Sequence, residues 1–371
     1  MPYFSKRFNL IRLSIAFMLM MFAALEGRSQ TPFSGLETLF TNPKTYISGF
    51  TAVAPSIDGD ISDKALEAAP WSDRFQDIEG GQKPAPAQDT RVKMLWDRSN
   101  LYIAAELREP HIWAYLNKHD EIVYYDNDFE VFLDPDNNTH QYFEIEVNAM
   151  NTILDLFLPK PYRDGGAVLM SWDAPGLRSK VKINGTLNDP SDTDQSWTVE
   201  MAIPFKAVSM GNHERVPADG DLWRVNFSRV QWETEIKNGQ YIKKKDSKGK
   251  TLPENNWVWS PQGVINMHFP ERWGYVKFVR NPEELSAGPV VLPESELLRN
   301  YLWLVYYRQK DFHRKNRRYA ASLDELQIEP VISGKNHPAR IQMESTASQF
   351  RAVIRSGENH SISINHEGLI Q

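Results

Sequence analysis

Asp128, Glu130, Glu144 and Glu146 crowd into one short stretch, YYDNDFEVFLDPDNNTHQYFEIEVNAM, residues 124–150. All four occupy even positions, whereas the odd positions Phe129, Val131, Leu133, Phe143, Ile145 and Val147 are apolar. A period of two is the mark of β-strands with one packed face. Pro135-Asp136-Asn137-Asn138 supplies the turn between two such strands. With the loop centred near Asn137, Glu130 stands opposite Glu144 and Asp128 opposite Glu146, so all four acids share the free face with Tyr142 and Asn148. Carboxylates so close repel one another unless a positive or hydrogen-bonding group lies between them. That pattern suits a sugar-binding face, a calcium site or a catalytic acid pair, and it also suits a plain solvated face. Glycoside hydrolysis needs only two carboxylates about 5–10 Å apart, which facing strand positions can meet.

Around this hairpin lie aromatic residues outside the apolar strand pattern: Trp113, Tyr124, Tyr125, Trp172, Trp232, Trp257 and Trp259. Aromatic faces stack on the C–H faces of pyranose rings, and carboxylates and amides bond the hydroxyls. Asn226 and Arg229 lie on the strand Trp223–Trp232 and are candidates to reach the same face. No G-x-S-x-G, H-E-x-x-H or P-loop pattern occurs. The nine histidines are scattered, and His111, His119, His140 and His268 fall in loops without metal-ligand spacing. Asp58, Asp60 and Asp63 are spaced so that oxygen ligands converge from a turn, making structural calcium the one cofactor expectation; an Asx-turn without metal explains them as well.

The elements that would position these residues are short strands. Arg91–Trp96 pairs with Leu101–Leu107 around a four-residue turn, and Phe129–Leu133 pairs with Gln141–Met150. Further strands are expected at Phe50–Ile57, Asn151–Leu158, Leu177–Leu187, Trp197–Pro204, Trp223–Trp232 and Trp273–Val279, with a short helix at Lys64–Ala69. Many short strands separated by turn residues predict an all-β antiparallel β-sandwich. Beyond Asn281 the pattern changes. Leu297, Leu298, Tyr301, Leu304, Val305 and Phe312 have helical spacing in Glu294–Arg318, and strands follow at Arg340–Glu344, Gln349–Arg355 and His360–His366. The expected organisation is a signal peptide over residues 1–29, a linker over 30–47, a sandwich over 48–282 and a small α+β appendage over 283–371.

The amino terminus has a basic n-region (Lys6, Arg7, Arg12), an apolar run Leu13–Leu25, and Gly27 and Ser29 at the −3 and −1 positions of a cleavage site. The run is short of the about 20 residues a membrane span requires, and no second span is present. An exported protein, periplasmic or extracellular, is expected. Removal of residues 1–29 leaves 38 basic against 47 acidic side chains, a net charge of −9. That balance argues against nucleic acid as a partner. The absence of cysteine excludes disulfides, thiolate metal sites and a Cys nucleophile. The fold then rests on its core, for which 11 Trp, 14 Tyr and 18 Phe provide the bulk.

Five motifs in order, IDGDISDKALEAAPW, VKMLWDRSNLYIAAELREP, YYDNDFEVFLDPDNN, FEIEVNAMNT and FPERWGYVKF, resemble the family 9 carbohydrate-binding modules across about residues 48–280. The resemblance implies a β-sandwich of the DOMON-like type, carbohydrate binding and, in several members, structural calcium. Such modules accompany xylanases and cellulases. The family's sugar-bonding Glu and Asn correspond to Glu130 and Asn148, and Glu146 stands where the family has Arg. The two Trp residues that sandwich the sugar in the family correspond to Tyr124 and Met267. Tyr can stack, Met is a poor substitute for an indole face, and His268 or Trp257 is a candidate to replace it. The reading is thus an exported, non-catalytic carbohydrate-binding protein for plant-type polysaccharide or oligosaccharide, serving carbohydrate catabolism. Two alternatives are a glycoside hydrolase using the acidic face and a scaffold whose basic helix end, Arg308–Arg318, docks a protein partner.

Overall fold

A computed structural model describes residues 32–211, 214–286, 288–332, 338–357 and 360–371. The expected signal peptide lies outside the described residues. Among the described residues, fourteen strands precede the appendage: β1 (Thr45–Phe50), β2 (Gln76–Asp77), β3 (Thr90–Trp96), β4 (Asn100–Arg108), β5 (Asp128–Asp134), β6 (Tyr142–Asn148), β7 (Ile153–Leu158), β8 (Arg178–Asn184), β9 (Ser196–Pro204), β10 (Leu222–Gln231), β11 (Thr234–Lys237), β12 (Gln240–Lys243), β13 (Asn255–Val258) and β14 (Gly274–Val279).

Twelve of them form one curled sheet in the order β7-β6-β5-β10-β14-β1-β3-β4-β9-β8, with β13 and β2 continuing from β10. The ladders are antiparallel except at the seam, where β1 runs parallel to both β14 and β3. The sheet curls because its two wings share one core. Val92, Met94, Ile103 and Val199 from one wing meet Phe129, Val131, Ile145 and Phe227 from the other. Phe129 and Phe227 stack at 5.8 Å. The all-β sandwich expected from the alternation is therefore the observed architecture. The first strand is displaced, occupying Thr45–Phe50 rather than Phe50–Ile57. Pro55 removes a ladder donor from the latter segment, which instead bends.

Outer positions of β5 and β6 differ from expectation in two ways. The ladder pairs Glu130 with Glu146, Asp128 with Asn148 and Phe132 with Glu144. The register is thus two residues away from the one expected, because Asn137, Thr139 and Gln141 all take positive φ and the loop absorbs more chain. A slip of two preserves parity, so the acids remain on one face. That face is not free, however. Phe132, Tyr142, Leu154 and Leu156 join Ile78, Val123, Met267 and Trp273 in a second apolar cluster roofed by loops. Asp128, Glu130, Glu144 and Glu146 are all buried beneath it or at its edge.

The carboxy-terminal residues form helix α1 (Glu294–Asn316) on a four-stranded sheet ordered β15-β16-β17-β18 (Val331–Ile332, Ala339–Ser345, Phe350–Ser356 and His360–Asn365). Leu298, Leu302, Val305 and Tyr306 of α1 pack with Ile341, Phe350, Ala352 and Ile354. Phe33, Leu36 and Phe40 pack against the same core, so the segment expected as a linker is built into the fold. The basic end of α1 is satisfied within the chain. Arg308 donates to the Ser34 carbonyl, Lys310 pairs with Asp164, Arg314 and Lys315 pair with Asp311, and Arg318 pairs with Glu325. No helix among the described residues is long and apolar enough to cross a membrane.

Candidate functional site

A cleft of about 460 Å³ opens over the outer face of β5, β6 and β7. Its floor holds Glu130, Glu144 and Glu146, with Phe132 beside them. One wall is the turn Val123–Tyr125, which brings Tyr124, and the opposite side is formed by Met267, His268 and Tyr162. Glu254, Asn256 and Asn266 add polar edges, and no Lys or Arg is among the lining residues. The strands position the acids by parity alone. Tyr124 is anchored by its backbone, its N–H donating to Glu146 Oε2 (3.2 Å) and its carbonyl accepting from Trp232 Nε1 (2.8 Å). Tyr124 is 36 % exposed and lines the cleft. His268 is fixed by Tyr142, whose hydroxyl lies 3.0 Å from Nδ1, and by the edge of Tyr162, 4.5 Å away.

Burial dominates the electrostatics of this floor. It pushes Glu130 up to about 7, and the Ser228 side chain pulls only partly against it. Burial likewise raises Asp128, Glu144 and Glu146 well above the carboxylate range, with the charge of Glu130 adding to each. His268 moves the other way, down to about 4, from burial and then from Arg163. Near neutral pH the floor therefore presents carboxyl groups that donate as well as accept, the pairing that a sugar hydroxyl requires. Among the described residues, one oxygen of Glu144 and one of Asp128 are buried without a hydrogen-bond partner. Such orphan acceptors cost free energy, and Glu144, which lines the cleft, is the one placed where a ligand can reach it.

Of the expected site residues, Tyr124, Glu130, Glu146, Met267 and His268 meet in the cleft. The others do not. Asn148 is wholly buried and spends its amide on the loop above: Nδ2 donates to Leu116 O (2.8 Å) and Asp126 Oδ2 (3.0 Å), and Oδ1 accepts from the Met150 and Thr152 N–H groups. Asn226 does the same for the opposite wall, exchanging bonds with both backbone groups of Ser260. Arg229 lies at an odd position of β10, on the core side, paired with Glu109 at 2.7 Å. Trp257, its partner in the β10–β13 ladder, is buried in the main core beneath that guanidinium. These residues hold the walls rather than line the cleft.

Phe132, Tyr162 and Glu254 are cleft residues that the sequence reading passed over. Phe132 had a signal, since an aromatic at an even position interrupts the polar face. Tyr162 comes from a one-turn helix, Tyr162–Asp164, and has no periodic context.

Asp58, Asp60 and Asp63 are placed differently from a calcium cage. Asp58 accepts the Asp60 N–H, Asp60 accepts the Ser62 N–H and pairs with Lys182, and Asp63 caps the turn Lys64–Leu66 through the Ala65 N–H. Their oxygens serve successive Asx-type turns. The neighbouring Gly59 is the constrained position. Its φ is +90°, and a Cβ there would stand 2.8 Å from the Lys182 nitrogen. Gly59→Ala is expected to cost about 1–3 kcal/mol, read as a lowered midpoint in urea denaturation with an unchanged m-value; an unchanged midpoint would refute this account of the turn.

The profile of the family "Carbohydrate family 9 binding domain-like" matches residues 57–274. Among solved structures, a family 9 carbohydrate-binding module from Caldicellulosiruptor kristjanssonii, determined with cellotriose, is 17% identical and has a TM-score of 0.41. That match covers 67% of this chain and 100% of the module. The glucose complex of a family 9 module from the same organism gives 16% identity, TM-score 0.42 and the same coverages. A Bacteroides uniformis protein with a proposed carbohydrate-binding role is 15% identical with a TM-score of 0.48, covering 64% of this chain and 100% of that one. No curated protein matches the chain. The profile spans more than half of the 371 residues and includes every residue that lines the cleft, and the chain belongs to the carbohydrate family 9 binding domain-like family.

Proposed function

We propose that this chain is an exported, non-catalytic carbohydrate-binding protein whose cleft takes neutral plant-type oligosaccharide and serves carbohydrate catabolism. The observation that carries the reading is the union of exposed aromatic rings, Tyr124 and Tyr162, with a buried floor of carboxyls able to donate and accept. Family membership supports it.

Calorimetric titration near pH 6.5 against xylo-, cello- and pectic oligosaccharides tests this. Neutral chains are expected to bind, and uronate-rich chains to bind about tenfold or more weakly, because the cleft offers no Lys or Arg to pair with a uronate carboxylate. Glu130→Ala is expected to abolish the heat. Absence of heat with every sugar, together with wild-type behaviour of Glu130→Ala, would sink the proposal. Reducing-sugar release from the same ligands, lost in Glu130→Gln with binding retained, would replace it with an enzyme.

A further inference from the structure

His119, Asp120, Asp155 and Asp173 come together at the edge of the sheet, outside the cleft. The sequence offers no ligand spacing here, because the four residues arrive from the loop before Tyr124, from β7 and from the loop after Trp172. One oxygen of each Asp and one nitrogen of His119 lie mutually within 4.8 Å. His119 Nε2 stands 2.9 Å from Asp173 Oδ1, 3.4 Å from Asp120 Oδ1 and 3.6 Å from Asp155 Oδ1. Ligand atoms held about 2.0–2.2 Å from a zinc-class ion stand roughly 3–3.6 Å from one another. These three separations fall at that scale.

The second, independent observation is Asp155. It pairs with Ile145 across the β6–β7 ladder and so shares the core-facing side of an edge strand. Its side chain is only 3 % exposed. Oδ2 accepts the Ala174 N–H, yet Oδ1 is buried without a hydrogen-bond partner among the described residues and faces His119 Nε2 at 3.6 Å. Asp120 Oδ1 is likewise buried and unpartnered. Leaving carboxylate oxygens orphaned in the interior is costly, and a cation is what compensates both of them at once. The open side, where His119 and Asp173 are exposed, supplies the entry path.

We infer that His119, Asp120, Asp155 and Asp173 form a binding site for a divalent cation of the zinc class. A ligand set with an imidazole nitrogen selects zinc, cobalt or nickel over calcium, which prefers oxygen alone and more ligands. The ion would tie the loop that leads to Ile122 and Tyr124 onto β7, whose Leu154 and Leu156 line the cleft. The site stands apart from the sugar-binding reading and does not depend on it.

Titration of the chelator-stripped full chain with ZnCl₂, in parallel with CaCl₂, tests the site. One zinc per chain is expected to bind, with affinity falling about tenfold or more in both Asp155→Asn and His119→Gln. His119 is half exposed, so its replacement leaves the fold intact even if Asp155→Asn does not. Cobalt should give the intense visible absorption of a low-coordinate site, and that absorption should vanish in His119→Gln. No zinc binding, zinc binding unchanged in His119→Gln, or calcium binding in preference to zinc would each overturn the assignment.

Discussion

Stability of the unliganded protein is expected to fall as pH rises from about 6.5 to 8.5, opposite to the usual behaviour of paired surface carboxylates. The cause is the buried floor of the cleft. Glu130 is raised to about 7 by burial, and burial raises Asp128, Glu144 and Glu146 well above the carboxylate range in the same direction. In the unfolded chain each would titrate near 4. Above that, the native state holds more protons than the unfolded one, so the stabilisation is complete at low pH and is lost as pH climbs through the folded values. His268 works in the other direction. Its value of about 4 means that stability is gained between there and its unfolded value near 6.5. The two effects oppose each other below pH 6.5, and only the carboxyls act above it. The slope is about 1.4 kcal/mol per pH unit for each proton the folded floor retains. Chemical denaturation across pH 6.5–8.5 measures it. Glu144→Gln keeps the shape, removes one such proton and should both flatten the slope and stabilise the protein at pH 8.5. Stability that is flat or rising over this range would show that the floor is already ionised.

The strands that carry this floor were legible because a period of two survives most errors. A hairpin loop misjudged by two residues still leaves Glu130, Glu144 and Glu146 on a common side. The cover over that side was not legible. Asn255–Val258 is a four-residue strand between irregular segments, and the turn that places Tyr124 is a single 3₁₀ turn. Neither has enough repeats to show a period. The roles of Asn148 and Asn226 were obscured for a different reason. An amide that could hold a sugar hydroxyl is chemically the same as one that holds a loop, and only the surrounding backbone decides between them. Arg229 stands at an odd position of the strand that carries Asn226 at an even one, so parity sets the two on opposite faces and Arg229 on the core side. Its partner Glu109 is 120 residues away in sequence. His119 and Asp155 show the same limitation, since three separate segments must meet before the cluster exists.

Replacement of Arg163 is expected to have the largest effect on how the appendage is held. This guanidinium projects from the turn after β7 into the boundary between the sandwich and α1. It pairs with Glu271 at 2.9 Å, lies 4.1 Å over the Phe269 ring and reaches the Tyr306 hydroxyl at 3.3 Å. Glu271 also accepts from the Tyr307 hydroxyl, and the adjacent Asp164 takes Tyr306 and Lys310. The side chains of Glu271 and Asp164 are 2 % and 0 % exposed. Removing one member of such a buried network strands the opposite charge. Arg163→Met, which roughly keeps the volume, is expected to cost about 3–5 kcal/mol. Because Tyr306 belongs to the appendage core and Glu271 to the sandwich, the loss should fall first on docking. Hydrogen exchange resolved by segment measures this: α1 should lose protection in Arg163→Met while β5 and β6 keep theirs. The double variant Arg163→Met/Glu271→Gln should recover part of the loss, since the stranded charge is then gone. Equal loss in both variants, with no recovery, would mean that Arg163 acts by packing over Phe269 and not as the counter-charge of the interface.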